Sequence, residues 1–148
     1  MPALEEIQNL IPHRPPFLWV DRIISCTDTS IETEKQIPED HEVFKGHYPG
    51  NPITPGVLLC EAIFQSGALL MARTGAELAA QGLVPVLTRI NSAKFKRGVY
   101  PGDVTRIKVD LQEIISNVSF FKGTLKVNGK TAVQTAFACS MTPSADSR

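Results

Sequence analysis

Cysteine is scarce in this chain and badly spaced for chemistry. Cys26, Cys60 and Cys139 are odd in number and none sits in a CxxC or other metal-ligand spacing, which argues against a disulfide framework or a thiolate metal site. Reduced thiols acting as small apolar fillers are expected instead. Excess charge is also missing: Lys+Arg 15 balance Asp+Glu 15, so no global field steers the chain to nucleic acid or a membrane surface, and neither partner is expected. The longest apolar stretches are broken by Glu61, Gln65 and Arg73, so no membrane span is expected. Met1 to Glu6 is acidic and lacks the basic and apolar regions of a secretory signal, which predicts a cytoplasmic protein. No Ser or Cys nucleophile has a paired base: Cys60 adjoins Glu61 but has no cationic neighbour in sequence, which disfavours covalent catalysis.

What is present fits one domain over residues 1–148, with 1–9 a lead-in and 142–148 a tail, both expected to fray. Asn9 to Pro16 is punctuated by proline and reads as extended. Phe17 to Cys26 is aromatic and β-branched and predicts a strand; Ile31 to Ile37 alternates as a strand with one wet face would. Thr54 then fits an N-cap and Pro55 the first helical position. Val57 to about Ala80 predicts a helix that is apolar on almost every face, hence buried, fraying between Gly75 and Gly82. Ile107, Val109 and Leu111 alternate with charged residues. Val118 to Val127 runs into the hairpin signal Asn128-Gly129, with Val133, Phe137, Cys139 and Met141 inward on the return strand. Pro101-Gly102-Asp103 predicts a turn. Strands on both sides of one buried helix predict α+β, an antiparallel sheet curled around that helix. The helix has more apolar surface than one sheet covers, which points to a second subunit.

Chemistry concentrates between Phe44 and Glu61. His13 is expected to pin its Pro-rich loop by hydrogen bonds, and His41, among acidic neighbours, to be a solvated surface residue. His47 differs: Gly46, Pro49, Gly50 and Pro52 shape the backbone around it, as positioning a base requires. Glu61 lies in an apolar helix, where a carboxylate needs a partner. Gln65 follows one turn later on the same face and could orient it. Gly56 and Val57 occupy the first helical turn, where N–H groups lack intrahelical acceptors and can polarise an acyl carbonyl; Gly56 would leave room for the ligand. A carbonyl held there acidifies its neighbouring C–H, His47 takes that proton, and Glu61 protonates a leaving hydroxyl. That is dehydration of a 3-hydroxyacyl group by general acid–base catalysis.

Leu10 to Arg22, Gly46 to Leu58 with Glu61-Ala62 and Gln65, Ala93 to Arg97 and Pro101-Gly102-Asp103 together closely resemble the (3R)-hydroxyacyl-[acyl-carrier-protein] dehydratases of the FabZ type, over roughly Leu10 to Met141. The resemblance implies a hot-dog fold and an obligate homodimer, often assembled into a hexamer as a trimer of dimers. It implies a working His47 and Glu61 contributed by different subunits, and a Gly56 N–H that meets the thioester carbonyl of an acyl-phosphopantetheine borne by acyl carrier protein. It implies type II fatty acid biosynthesis, with no metal or redox cofactor. Glu61 in place of the Asp of related dehydratase/isomerases implies dehydration without isomerisation. Four departures stand out: Tyr48 for the usual Phe, Phe64 for a small residue on the helix expected to line the acyl tunnel, Gly98 for Pro, and Ser119-Phe120-Phe121 without the usual Trp. Phe64 bears on the accepted acyl length. An acidic carrier needs a basic rim, for which Lys94, Lys96 and Arg97 are the candidates, a solvated strand end being the alternative. A hot-dog thioesterase, with a helix carboxylate directing water, and a catalytically silent acyl-binding subunit are the competing functions.

Overall fold

The computed structural model describes residues 2–75 and 81–143. Helix α1 (Pro2–Leu10) leads into strands β1 (Arg22–Cys26) and β2 (Ser30–Gln36). A short 3-10 turn, Glu42–Lys45, precedes the long helix α2 (Gly56–Thr74). Strands β3 (Leu83–Phe95), β4 (Val104–Ile115), β5 (Val118–Val127) and β6 (Lys130–Pro143) complete the described chain. The six strands make one sheet in the order β1-β2-β4-β5-β6-β3, antiparallel throughout. Helix α2 packs against β2, β3, β4, β5 and β6. This is the expected α+β hot-dog architecture.

The pattern of side chains explains the wrapping. Strand β2 buries Ile31 and Thr33, and β4 buries Thr105, Ile107 and Val109 while exposing Arg106 and Lys108. Asn128 and Gly129 have φ of 52° and 77°, as a two-residue hairpin loop between right-twisted strands needs. Val133, Phe137, Cys139 and Met141 are all buried as expected, but so are Ala138 and Ser140 between them, so this end of β6 is covered on both faces. Against this floor α2 buries Leu59, Ile63, Phe64, Leu69, Leu70 and Met71, each stabilising the fold by about 1.5–3 kcal/mol. By length and composition α2 could cross a membrane, but most of it is buried inside the protein. Its hydroxyl at Ser66 is satisfied by Thr33 Oγ1 and by donation to the Ala62 carbonyl, both at 2.8 Å.

Several expectations need correcting. Residues 2–10 are not a frayed lead-in but a helix, because Ile7 is buried in the core beside Ile11. At the other end β6 continues to Pro143, paired with Leu83; residues 144–148 lie outside the described residues. The first strand starts at Arg22 rather than Phe17, because Leu18, Trp19 and Val20 turn inward. Pro55, not Thr54, caps α2: the Pro55 carbonyl accepts from the Leu58 N–H at 3.0 Å, while the Thr54 N–H donates to the Val99 carbonyl at 2.8 Å. The helix ends at Thr74; its expected extension over 76–80 lies outside the described residues. His41 is a cap rather than a solvated residue. Its Nδ1 accepts from the Val43 N–H at 3.0 Å and its ring lies 5.0 Å from that of Trp19.

Strand β3 has the least evident sequence pattern, since Pro85 interrupts it and its apolar residues do not alternate cleanly. It is an edge strand, and Val86, Leu87, Ile90 and Phe95 on it are exposed.

Two measurements probe this packing. Gly123 on β5 lies directly beneath Ile63 of α2, and an added Cβ would run into the Ile63 side chain. Gly123→Ala should therefore cost about 1–3 kcal/mol in a denaturant titration, and an unchanged midpoint would contradict the contact. Burial pushes the thiols of Cys26 and Cys60 up, and that of Cys139 up to about 12. A thiol reagent at mildly alkaline pH should label the half-buried Cys26 first and reach Cys60 and Cys139 only after denaturation, as peptide mass spectrometry would read.

Candidate active site

The His47 loop is stiffened from both sides. Its backbone N–H donates to the Val43 carbonyl at 3.0 Å and its carbonyl accepts from the Ile53 N–H at 3.1 Å. Tyr48 and Asn51 exchange backbone hydrogen bonds at 3.1 and 2.9 Å, closing the turn through Pro49 and Gly50. The imidazole Nδ1 lies 2.7 Å from the Ile53 carbonyl oxygen. A carbonyl only accepts, so Nδ1 carries the proton and Nε2 keeps its lone pair. That is the tautomer of a base. The Tyr48 ring stacks on the imidazole with centroids 4.1 Å apart.

At the start of α2 neither Gly56 nor Val57 has a backbone acceptor for its N–H among the described residues, as the first turn of any helix dictates. Val57 is 74% exposed. Gly56 does not open onto empty space, as expected from sequence. A Cβ there would lie 2.7 Å from Cε1 of Phe95, so the glycine admits that ring. Phe95 is itself 55% exposed and forms the wall beside these N–H groups. A second glycine repeats the device. A Cβ at Gly98 would lie 2.7 Å from the Tyr100 hydroxyl and 3.1 Å from Ile53, so Tyr100 fills the space that a side chain at 98 would take, next to the residue that holds His47.

Glu61 is half-buried, and Gln65 fixes one of its oxygens. The Gln65 amide Nε2 donates to Glu61 Oε2 at 3.0 Å and to the Phe17 carbonyl at 2.9 Å, while its Oε1 accepts from the Trp19 N–H at 2.8 Å. Gln65 is 1% exposed and this amide is fully used. His13 Nε2 stands 3.8 Å from the same Glu61 oxygen, a neighbour that sequence reasoning missed although His13 lies inside the Leu10 to Arg22 motif. His13 does not pin its loop. Arg14 does that, donating to the carbonyls of Ile11, His13 and Gln8 at 2.9, 2.7 and 2.9 Å. Burial lowers the His13 pKa, Glu61 opposes the shift, and Arg14 adds to it. Within one chain His47 makes no ion pair or hydrogen bond with Glu61.

The FabA-like domain family matches residues 11–136. The 3-hydroxyacyl-[acyl-carrier-protein] dehydratase FabZ of Caulobacter sp. (strain K31) is 40% identical over 136 residues, 91% of this chain and 83% of that protein. This chain belongs to the FabZ-type dehydratase family. Its namesake from Clostridium perfringens (strain SM101 / Type A) is 34% identical and covers 89% of this chain and 93% of its own length. Among solved structures, the dehydratase heterocomplex ApeI:P from Xenorhabdus doucetiae matches with a TM-score of 0.77 at 16% identity, over 95% of this chain and 93% of that one. A hypothetical thioesterase from Streptococcus pneumoniae TIGR4, solved with coenzyme A, matches with a TM-score of 0.63 at 15% identity, over 82% and 85%. At such identities the two structures speak for the fold alone.

The remaining candidate residues lie apart from one another in space. Phe64 is buried and meets Phe137 edge-on at 4.8 Å. Lys94 lines a groove on the outer face of the sheet with Lys108 and Lys122, on the opposite side of β3 from Phe95. Lys96 and Arg97 are exposed just past the end of β3.

Replacing Gln65 by Leu should cost about 2–5 kcal/mol, because it orphans the Trp19 N–H and the Phe17 carbonyl together; a denaturation midpoint close to that of the parent would contradict the arrangement. His13 gives a pH test. Its folded pKa lies below the ordinary 6.5, so the unfolded chain holds the proton more tightly and stability falls as pH drops through that range. Urea midpoints at about pH 7.5 and about pH 5.5 should differ more in the parent than in His13→Gln, and equal slopes would remove His13 from the account.

Proposed function

We propose that this chain dehydrates (3R)-3-hydroxyacyl groups carried on acyl carrier protein to trans-2-enoyl groups, in type II fatty acid biosynthesis. The observation that carries the reading is the Glu61 carboxylate, set in an apolar helix with Oε2 held by Gln65. Family membership supplies the reaction class. The carbonyl oxygen of a carboxylic acid is its better acceptor, so the Gln65 amide on Oε2 favours placing the acid's proton on Oε1, the oxygen left for the substrate.

In this mechanism the thioester carbonyl accepts from the Gly56 and Val57 N–H groups. His47 Nε2 removes a proton from C2, and the electron pair moves into an enolate stabilised at those N–H groups. The enolate then collapses into the C2=C3 double bond. The C3–O bond breaks, and Glu61 Oε1 gives its proton to the departing hydroxyl, which leaves as water. The proton on His47 and the vacancy on Glu61 are equalised through solvent, so the enzyme ends as it began. Phe64, buried edge-on against Phe137, would bound the acyl chain at its buried end.

The site is read as shared between two copies. His47 and Glu61 do not meet within one chain, and the 13 residues of β3 present an unpaired edge with Val86, Leu87, Ile90 and Phe95 exposed. Long apolar edges invite pairing with another strand. Pairing β3 with its counterpart would give a homodimer, in which the partner subunit's His47 faces Glu61; three such dimers would form the hexamer. Lys94, Lys96 and Arg97 offer positive charge to an acidic carrier, and Lys94 has Lys108 and Lys122 beside it. A cytoplasmic location fits this substrate.

Incubation with a (3R)-3-hydroxyacyl-carrier-protein should raise enoyl absorbance; release of free thiol without enoyl product would replace this reading with a thioesterase. His47→Ala and Glu61→Gln should each lower kcat by at least about 100-fold while the fold persists. The two inactive variants, mixed under conditions that exchange subunits, should regain about one quarter of parental activity, because half of the dimers are mixed and each has one intact site. Exchanged dimers without activity would refute the shared site.

A further inference from the structure

We infer that His13 is a positioning residue for the acid, holding Glu61 Oε2 turned into the protein so that Oε1 alone faces substrate. The inference rests on the dehydratase reading above.

Its basis is geometric. His13 Nε2 lies 3.8 Å from Glu61 Oε2, the oxygen that already accepts from Gln65 at 3.0 Å. That gap is longer than a hydrogen bond, and a rotation of either side chain by about 1 Å closes it. The other ring nitrogen, Nδ1, is buried without a partner. A buried N–H without an acceptor is rarer and costlier than a buried lone pair. The proton of the neutral ring therefore belongs on Nε2, aimed at the carboxylate. His47 has the opposite tautomer, because its Nδ1 faces the Ile53 carbonyl at 2.7 Å. One histidine thus offers a lone pair to act as base, and the other offers an N–H to the acid.

The backbone around His13 is built to hold that aim. The Arg14 guanidinium gathers the carbonyls of Gln8, Ile11 and His13 at the end of α1, and Ile11 is buried. On the far side Gln65 ties Phe17 and Trp19 to α2. The segment from Gln8 to Trp19 is therefore fixed at both ends, with His13 between the two anchors and over the acid. Truncating the imidazole would leave Glu61 with one tether instead of two, and a misdirected acid slows the chemical step more than it weakens binding.

The test uses the full chain. His13→Ala should lower kcat by about 10- to 100-fold with KM for the 3-hydroxyacyl-carrier-protein changed less than about threefold. His13→Gln, which restores an N–H donor, should recover most of the loss. In a Glu61→Gln background His13→Ala should add no further loss, since both changes act on one group. Nitrogen-15 spectra of the parent should show His13 protonated on Nε2, with a signal that moves on Glu61→Gln. A parent without turnover overturns the dehydratase reading and this inference with it. A parent that turns over overturns this inference alone in any of three cases: His13→Ala matches it, the loss adds fully to that of Glu61→Gln, or the ring is protonated on Nδ1. The spectra decide the question even where His13→Ala does not fold.

Discussion

Everything around the Glu61 carboxylate depends on one buried amide. Gln65 is on an otherwise apolar helix, and each of its polar atoms is committed: Oε1 to the Trp19 N–H, Nε2 to the Phe17 carbonyl and to Glu61. A buried amide left half-paired would be among the costliest features of this core. Paired as it is, it determines three things together. It holds the lead-in against α2 where no strand ladder exists, it orients the carboxylate, and it favours Oε1 over Oε2 as the oxygen that carries a proton. The first is a matter of stability and the last of mechanism, yet they share the same two nitrogen-bound hydrogens.

The His47 loop obeys a different constraint. His47 bonds only to backbone, through the Val43 and Ile53 hydrogen bonds and the Nδ1 contact to the Ile53 carbonyl, with the Tyr48 ring stacked on it. The neighbouring Thr54 N–H is tied to the Val99 carbonyl. This loop is independent of the Gln65 network. The two groups of residues are thus held on separate supports, with no ion pair or hydrogen bond between His47 and Glu61 in one chain, and a ligand or partner that bridged them would not have to order either one.

Much of this was legible in the sequence, and the failures have physical causes. Period-two burial in β2, β4 and β5 and the Asn128-Gly129 turn that returns as β6 reflect local rules, and those elements were found where the structure has them. The i, i+4 spacing of Glu61 and Gln65 is likewise local, so their hydrogen bond followed from helix geometry. Strand β3 was obscured because it is an edge strand whose residues from Leu87 to Phe95 are all exposed, so no burial alternation marks it. Thr54 lost its capping role to a tertiary bond with Val99. His13 escaped because its partner is 48 residues away in sequence and only the packing of the lead-in on α2 brings the two together. Tertiary bonds of this kind leave no period to detect.

The two glycines Gly56 and Gly98 show how an absent side chain can leave a surface intact. At Gly56 the absent Cβ is replaced by the edge of Phe95, and at Gly98 by the phenol of Tyr100. In both places the missing side chain leaves no void, since an aromatic ring from a nearby strand or turn occupies its place. Both rings remain half exposed, so they are surfaces as well as fillers. A side chain at 98 would have to displace the Tyr100 phenol, whose hydroxyl lies 2.7 Å from where its Cβ would stand, and would crowd Ile53 at 3.1 Å, the residue whose carbonyl holds the His47 ring.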